Sequence, residues 1–308
     1  MTNENMPCFR NNQWAQMASV LVVWLSFSGA GLAHAAVPDT SSAESLRAQY
    51  VSLGERLRYN PFQRALALDS AESNADLKGD IYALVDYPFA IVSAALNNPG
   101  HWCDVLILHI NTKYCRATSN QTTTTLNVNI GKKTPQSLKD AYPIEFTYRG
   151  IAATANYLEV QLNAREGPLS TSNYRIQLQA IPVGSGQTFL HFTYSYDYGL
   201  AGRLAMKAYL ATLGSEKVGF TLSDTSTNGQ PDYIGGMRGV VERNTMRYYL
   251  AIDAYLIGLG EPASVRLQKR LQHWFNATEQ YPRQLHEVSR TAYLDMKRSE
   301  YRRQQMSR

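Results

Sequence analysis

Alternation of apolar and polar residues dominates the middle of the chain. The stretch LEVQLNA at 158–164 is a clear case, because every second side chain is apolar. A period of two predicts a strand with one buried and one solvated face, which is typical of an antiparallel sheet covered on one side. The pattern predicts strands at 79–86, 126–130, 144–148, 158–164, 174–180 and 189–198. A Gly167-Pro168 turn separates the fourth and fifth, which predicts a hairpin.

Helical spacing of apolar residues flanks this strand-rich region on both sides. Leu46, Tyr50, Leu53 and Leu57 lie on one face of a helix that should end at Asn60-Pro61. The polar stretch 69–76 is predicted to be a solvated loop, and 217–223 a short strand. Further helices are predicted at 88–97, 101–109, 200–213, 237–258, 263–279 and 283–305. The helix at 237–258 is the longest and carries an aromatic stripe.

Residues 1–35 have the layout of a secretory signal peptide. An apolar run of 16 residues, 17–32, precedes Ala33-His34-Ala35, a small-x-small cleavage pattern. The alternative is an uncleaved membrane anchor, but the run is shorter than the roughly 20 residues that a spanning helix needs. We therefore expect an exported, soluble protein, which is periplasmic if the host is bacterial and secreted otherwise.

Export changes the interpretation of the two cysteines in the expected mature chain. Cys103 and Cys115 lie twelve positions apart in GHWCDVLILHINTKYC, together with His101 and His109. An oxidising compartment favours a disulfide. A metal site or two free thiols are the alternatives, although the spacing is not that of a structural zinc site. We expect a disulfide, no metal, and structural roles for both histidines.

The net charge of +5 is concentrated at the C-terminus. Residues 263–308 contain ten Lys and Arg against four acidic residues, whereas the body is close to neutral. Nucleic acid is not an expected partner of an exported protein. Clustered basic residues attract anionic lipid headgroups, which makes a membrane surface a candidate partner. The alternative is a solvated helical pair that packs its aromatic residues on the body.

The order of elements over about 180 residues resembles the START-like helix-grip superfamily, also called SRPBCC. The stretch VDYPFAIVSAALNNPGHW at 85–102 is similar to the opening of that fold, with a strand, a helix that begins after a proline, a break and a tryptophan. The resemblance implies an α+β fold in which a curved antiparallel sheet grips a long C-terminal helix around an apolar cavity. The expected organisation is a signal peptide (1–35), an N-terminal helix and loop (36–76), a START-like domain (77–260) and a basic helical tail (261–308).

The resemblance also implies binding, and possible transport, of a hydrophobic or amphiphilic molecule such as a lipid, with cyclase or hydrolase activity in some members. The candidate ligand-binding residues are Tyr194 and Tyr196 on one strand face, and Glu242, Arg243, Arg247 and Tyr248 on the long helix. Arg243 and Arg247 are one turn apart, so both guanidiniums could reach one anionic group. Alternatively, each arginine pairs with an acid such as Glu242 or Glu216 or faces solvent, and the tyrosines belong to the core.

Signals for catalysis are sparse. The sequence contains no G-x-S-x-G, H-E-x-x-H, P-loop or Rossmann glycine pattern, and we expect no cofactor. An enzyme on the same scaffold remains the second hypothesis, and a buried Glu242 in the cavity would favour it. A structural or assembly factor that binds partners through the basic tail is the third.

Overall fold

An eight-stranded antiparallel sheet forms the centre of the structure, a computed structural model that describes residues 40–200, 202–204, 217–223 and 232–306. The strand order is β1-β2-β8-β7-β6-β5-β4-β3. The strands are β1 (Leu66–Glu72), β2 (Asp76–Val85), β3 (Thr112–Ser119), β4 (Thr124–Ile130), β5 (Tyr142–Ala153), β6 (Leu158–Glu166), β7 (Thr171–Val183) and β8 (Gln187–Tyr198). All six predicted strands are present, and β6 and β7 form the predicted hairpin.

The two strands that the sequence pattern missed lie at the edges of the sheet. Residues 69–76 were expected to form a solvated loop, which is right only for the exposed turn at 73–75, because Leu66–Glu72 pairs with β2 in a hairpin. The second half of β1 is mostly exposed, so it lacks the alternation that a half-buried strand shows. The other missed strand, β3, pairs only with β4 and also ends in polar, exposed residues.

Eight α-helices with defined bounds surround the sheet within the described residues. They are α1 (Thr40–Ser52), α2 (Gly54–Arg58), α3 (Phe89–Leu96), α4 (Pro99–Leu106), α5 (Gly236–Ile257), α6 (Ala263–Thr278), α7 (Pro282–Leu285) and α8 (Arg290–Met306). The predicted helices at 88–97, 101–109 and 237–258 are α3, α4 and α5. The predicted helix at 283–305 is two helices instead of one, and the N-terminal helix is also divided, because Leu53 separates α1 from α2.

The long helix α5 lies directly on the inner face of the sheet. A Cβ atom added at Gly79 on β2 would collide with the hydroxyl of Thr245, so only glycine permits this close approach. Buried residues of α5, such as Val241, Met246 and Leu250, join the main hydrophobic cluster with the inward side chains of the strands. The predicted fold class, a curved antiparallel sheet that grips a long C-terminal helix, is confirmed.

The N-terminal helices cover part of the opposite face of the sheet. Leu46 of α1, and Leu53 between α1 and α2, pack with Tyr82, Ile181 and Phe189 in a second hydrophobic cluster. The sheet is therefore buried on both faces in this region. The predicted apolar face of the N-terminal helix is the one that makes this contact.

The C-terminal tail packs on the body through its aromatic and polar side chains. Trp274 of α6 stacks on Tyr293 of α8 at a centroid distance of 4.7 Å, and both side chains are buried. Helix α8 runs along the outer edge of β3, where Gln304 accepts a hydrogen bond from the backbone N–H of Cys115 (3.1 Å) and Arg303 donates to the carbonyl of Lys113 (2.8 Å). Because an uncovered edge strand is a template for aggregation, α8 protects this side of the sheet.

Buried charges fasten α8 to the same strand. Glu300 binds the ammonium groups of Lys113 (3.0 Å) and Lys297 (2.6 Å), and both lysine side chains are fully buried. Lys297 also donates to the carbonyl oxygens of His109 (3.0 Å) and Thr112 (2.6 Å). Two positive charges and one negative charge thus lie under the turn that joins α4 to β3.

Some predictions fall on residues that are not described. The signal peptide at 1–35 lies outside the described residues, as does most of the helix expected at 200–213, of which 202–204 are helical. The expected strand at 217–223 is reduced to one bridge between Leu222 and Tyr233. None of the described helices is long and apolar enough to cross a membrane.

Candidate functional site

A cavity of about 240 Å³ lies between the inner face of the sheet and α5. Strands β3, β4, β5, β7 and β8, the turn between β6 and β7, the turn after α4 and one side of α5 contribute its walls. The lining residues are Leu106, His109, Asn111, Thr112, Val128, Ile130, Ile144, Phe146, Pro168, Leu169, Thr171, Tyr174, Tyr194, Tyr196, Val240, Asn244 and Tyr248. Most of these side chains are apolar or aromatic, with a few polar groups among them, which is the usual composition of a small-molecule site.

One side of the cavity is a cluster of four tyrosines, here called the tyrosine wall: Tyr174, Tyr194, Tyr196 and Tyr248. The rings of Tyr174 and Tyr196 are stacked at 5.1 Å, and Tyr194 lies 5.1 Å from Tyr248 of α5. Burial raises the pKa of Tyr174 to about 12 and raises the pKa of Tyr194 well above its usual value. The hydroxyls therefore stay protonated at neutral pH and can donate hydrogen bonds.

The side of the cavity near α4 and β3 is polar, and we call it the polar wall: His109, Asn111, Thr112 and Asn244. The ring of His109 stacks on Tyr248 with the centroids 4.4 Å apart. Its Nδ1 accepts a hydrogen bond from the backbone N–H of Asn111 (3.2 Å). Burial, followed by the positive charge of Arg247, lowers the pKa of His109 well below its usual value, so the ring is neutral.

The cavity reaches the surface beside the turn between β6 and β7. Leu169 lines the cavity and is nevertheless 59% exposed, so it lies at the rim. Leu169 and Ser170 both have positive φ angles (58° and 59°), a conformation that non-glycine residues seldom adopt. The tight turn is closed by the hydroxyl of Thr171, which donates to the carbonyl of Pro168 (2.5 Å).

The structure brings three of the predicted ligand-binding residues together and separates the other three from them. Tyr194, Tyr196 and Tyr248 line the cavity, whereas the predicted acid and the two predicted arginines of α5 do not. The turn of a helix explains the division, because Tyr248 and Asn244 lie one turn apart on the face that meets the cavity. The alternation of β8 identified the tyrosines of the sheet correctly as inward-facing residues.

Glu242 is fully buried, but its hydrogen bonds are made with structural groups. Its carboxylate accepts from the hydroxyls of Ser70 (2.6 Å) and Thr221 (2.6 Å) and from the backbone N–H groups of Phe220 (2.5 Å) and Thr221 (3.0 Å). A Cβ atom at Gly219 would collide with the same carboxylate. Glu242 therefore anchors segment 217–223 to α5 and is not placed to act on a molecule in the cavity.

Arg247 takes part in a buried ion cluster behind the polar wall. Its guanidinium binds Glu287 (2.6 Å) and contacts the side-chain oxygen of Asn244 (3.4 Å). Lys133 binds the same oxygen of Glu287 (2.6 Å). Arg243 donates to the carbonyl of Val218 (3.2 Å). The nearest carboxylate to Arg247 thus comes from the tail, and not from Glu242, while Glu216 lies outside the described residues.

The polar wall and this ion cluster were not identified from the sequence as a site. His109 was assigned a structural role, and Lys133 and Glu287 carry no local signal because they come from distant parts of the chain. A histidine within the apolar run LILHI at 106–110 is the one feature that could have drawn attention to the wall. Among the described residues, no group of three or more His, Cys, Asp or Glu side chains is arranged to hold a metal ion.

The expected disulfide is present between Cys103 of α4 and Cys115 of β3, with an S–S distance of 1.97 Å. It joins the helix to the strand on either side of the turn that carries the polar wall. His101 is bonded through Nδ1 to the carbonyl of Ala95 (2.8 Å), which fits its expected structural role.

Comparison with known proteins gives matches to solved structures alone, since no family model and no curated protein matches the chain. A point mutant of norcoclaurine synthase from Thalictrum flavum, in complex with a transition-state analogue, is 14% identical over 47% of this chain and 91% of its own, with a TM-score of 0.32. Human StAR-related lipid transfer protein 5 is 10% identical over 56% and 88%, with a TM-score of 0.32. The Zhui aromatase/cyclase from Streptomyces sp. R1128 is 10% identical over 49% and 87%, with a TM-score of 0.29. Each of these structures is similar to about half of this chain, and the START-like, helix-grip resemblance stays a prediction from the sequence.

Proposed function

We propose that this protein is exported and binds a small hydrophobic or amphiphilic molecule in the cavity between the sheet and α5. The observation that carries the proposal is the cavity itself. Protein interiors are normally packed to the density of organic crystals, with few voids larger than a water molecule. A hollow of about 240 Å³ with aromatic walls departs from that rule and has the character of a ligand site.

The size of the cavity restricts the ligand. The volume of the cavity is about 240 Å³. Typical sites for drug-sized ligands measure about 300–1,000 Å³. The cavity therefore suits a molecule with one or two rings, or a short acyl chain, and a whole two-chain lipid would require the walls to separate. We favour the smaller ligand.

The ionisation state of the cavity favours binding over acid–base catalysis. A general acid or base works best when its pKa lies near the working pH. Burial raises the pKa values of Tyr194, Tyr196 and Tyr248, and lowers the pKa of His109, so each of these groups stays neutral around pH 7. Glu242, the acid that would have favoured an enzyme, does not line the cavity.

The disulfide supports the export part of the proposal. Disulfides persist in oxidising compartments and are rare in the cytosol. The bond between Cys103 and Cys115 and the signal-like pattern of residues 1–35 therefore agree. Sequencing the N-terminus of the protein from its host compartment tests export directly, and a chain that retains its first residue in the cytosol contradicts it.

A cavity-filling substitution tests ligand binding. Ile144 of β5 lines the cavity, whereas Ile151 on the same strand is 50% exposed, so the two positions form a matched pair. We expect 2-naphthalenemethanol to bind the wild-type protein in a calorimetric titration. We also expect native mass spectrometry of the protein purified from its host to reveal a co-purified small molecule. Ile144→Trp should weaken binding at least tenfold and Ile151→Trp should leave it unchanged. Equal binding by a folded Ile144→Trp variant would place the ligand elsewhere.

A further inference from the structure

Three hydroxyl groups of the tyrosine wall make no hydrogen bond within the described part of the chain. They belong to Tyr194, Tyr196 and Tyr248, which are only 5%, 3% and 9% exposed. Tyr174, the fourth member of the wall, is paired with the hydroxyl of Thr171 (2.7 Å), which already gives its own proton to a backbone carbonyl and so accepts from Tyr174. Because buried polar groups are rarely left unpaired, the other three hydroxyls indicate that a ligand supplies their partner.

These hydroxyls differ from the polar atoms that are sealed inside the protein. The side-chain atoms that are both enclosed and unpaired among the described residues include Nε2 of His109 and Oγ1 of Thr112, but no tyrosine hydroxyl. The hydroxyls of Tyr194, Tyr196 and Tyr248 therefore keep accessible surface, although the residues that carry them are almost completely buried. All three residues line the cavity, so this surface faces the cavity and a ligand inside it can reach the hydroxyls.

Tyr194 lies at the centre of this group and is a neighbour of both other tyrosines. Its ring centroid is 5.1 Å from that of Tyr248 and 5.6 Å from that of Tyr196. Burial, followed by the nearby phenols, raises the pKa of Tyr194 well above its usual value, and burial also raises the pKa values of Tyr196 and Tyr248. All three phenols therefore keep their protons at neutral pH, and each has one hydrogen bond to donate.

The lining of the cavity carries no formal charge where the structure describes it. The described lining residues include no Asp, Glu, Lys or Arg. His109 is among them, and it is neutral because burial lowers its pKa well below the usual value. Burying a charge without a partner is costly, so an ionised ligand would lose its hydration and find no counter-ion in the wall. The cavity therefore favours an uncharged ligand that accepts hydrogen bonds.

We propose that the ligand is an uncharged carbonyl compound, such as an aryl ketone, whose carbonyl oxygen accepts hydrogen bonds from the hydroxyls of Tyr194 and Tyr248. This inference rests on the proposed function and narrows it to a ligand class. A carbonyl oxygen has two lone pairs, so one oxygen can serve both donors. It also brings no proton of its own, whereas an alcohol would need a further acceptor. The apolar body of the ligand then packs against the side chains of Val128, Ile144 and Phe146.

The test compares four probes that share one ring system, by calorimetry on the full chain. They are the ketone 2-acetonaphthone, the hydrocarbon 2-isopropenylnaphthalene, 2-naphthalenemethanol and 2-naphthoate. The hydrocarbon has a methylene group where the ketone has its oxygen, and the protein is titrated into the probe because the hydrocarbon is sparingly soluble. The wild-type protein should bind the ketone more tightly than the alcohol and more tightly than the carboxylate.

Two variants identify the donors. Tyr194→Phe and Tyr248→Phe keep the rings and remove one hydroxyl each. Each should lower the ratio of ketone affinity to hydrocarbon affinity about threefold to tenfold, the range expected for one hydrogen bond. The ratio cancels the greater hydrophobicity of the hydrocarbon. Tyr198→Phe is the matched control and should leave the ratio unchanged, because Tyr198 lies on the same strand but its hydroxyl donates to the carbonyl of Ser73 (2.9 Å).

Infrared spectroscopy of the ketone, labelled with carbon-13 at the carbonyl, gives a readout that packing alone does not change. The carbonyl band of the bound ketone should lie at lower frequency than in hexane, and this shift decides if a variant does not fold. An unshifted band, a ratio unchanged in both variants, or tighter binding of the alcohol or the carboxylate would overturn the carbonyl inference and leave the proposed binding function intact. Failure of all four probes to bind would overturn both proposals.

Discussion

The buried Lys113–Glu300–Lys297 cluster predicts an order of stability losses among variants that differs from the order expected from changes in side-chain shape. Both lysine side chains are 0% exposed and share the carboxylate of Glu300, at 3.0 and 2.6 Å. Glu300→Gln preserves the shape of the side chain but leaves two buried ammonium groups without a counter-ion. Breaking a buried ion pair costs about 3–5 kcal/mol, so we expect a loss of this size.

Lys297→Met should be less harmful, although it changes the shape of the side chain more. It removes one buried charge, and the pair between Lys113 and Glu300 remains. The two carbonyls that Lys297 bonds lose a donor, which costs about 1–3 kcal/mol. Asp295→Asn is the surface control, because its partner Arg298 is exposed and such pairs contribute about 0–1 kcal/mol.

The pH dependence of the Glu300→Gln variant follows from the lysine pKa. Burial lowers the pKa of Lys297 from 10.5 to about 8 in the wild type, and loss of Glu300 must lower it further. A lowered pKa in the folded state means that the unfolded chain binds more protons, so stability rises with pH between the two values. Lys297 of the variant has a pKa below 8, whereas Lys297 of the wild type has a pKa of about 8. Between these two values the stability of the variant rises with pH, and that of the wild type does not. Its deficit should therefore shrink as the pH rises towards 8.

Urea denaturation followed by tryptophan fluorescence is a suitable assay, because Trp274 stacks on Tyr293 of α8 and reports on this region. The free energies of unfolding of the wild type and the three variants are compared at about pH 6 and about pH 8. A Glu300→Gln loss no larger than that of Lys297→Met, or a deficit that does not change with pH, would refute the reasoning.

Two further predictions concern how α4 and α5 are held against the sheet. Replacing Cys103 and Cys115 with serine should lower the free energy of unfolding by about 3 kcal/mol, because the disulfide closes a loop with a sequence separation of 12. Added reductant should destabilise the wild type by the same amount. A loss below about 1 kcal/mol would contradict the loop-entropy argument. Gly79→Ala should cost about 1–3 kcal/mol, because its Cβ would collide with Thr245. Gly186→Ala in an open turn should change stability by at most about 0.5 kcal/mol in urea denaturation, and equal losses at both glycines would refute the close-packing argument.

The sequence predicted the half-buried strands of the sheet well because a period of two is a direct record of one-sided burial. Val128, Ile144 and Phe146 lie in the strands predicted at 126–130 and 144–148, and all three line the cavity. The edge strands β1 and β3 escaped detection because each begins with consecutive buried residues and ends with mostly exposed ones, so neither shows the alternation. The N-terminal helix was recognised from its apolar face, but its contact with the outer face of the sheet is a tertiary contact that helical spacing does not specify.

The polar half of the site could not be predicted from local sequence. His109, Asn111 and Thr112 lie in a turn without a repeating pattern, and their function depends on which charges surround them. Lys133 and Glu287 are brought together only by the fold. The arginine pair of α5 suggested an anionic ligand, but the distance of four residues fixes only that two side chains share a helix face, not what that face meets.

The charge distribution of the site is difficult to explain by stability alone. Replacing a buried ion pair with apolar residues is often neutral or stabilising, so a fold under selection for stability alone has no need of one. The lysines at 113 and 297 have a structural use, since they hold α8 on the edge of β3. Lys133 is 28% exposed and shares the carboxylate of Glu287 with Arg247, so this carboxylate joins the segment after β4 and the tail to α5. A shared ion pair of this kind fixes which segments of the chain meet, and this is a use of the cluster that a gain in stability does not require.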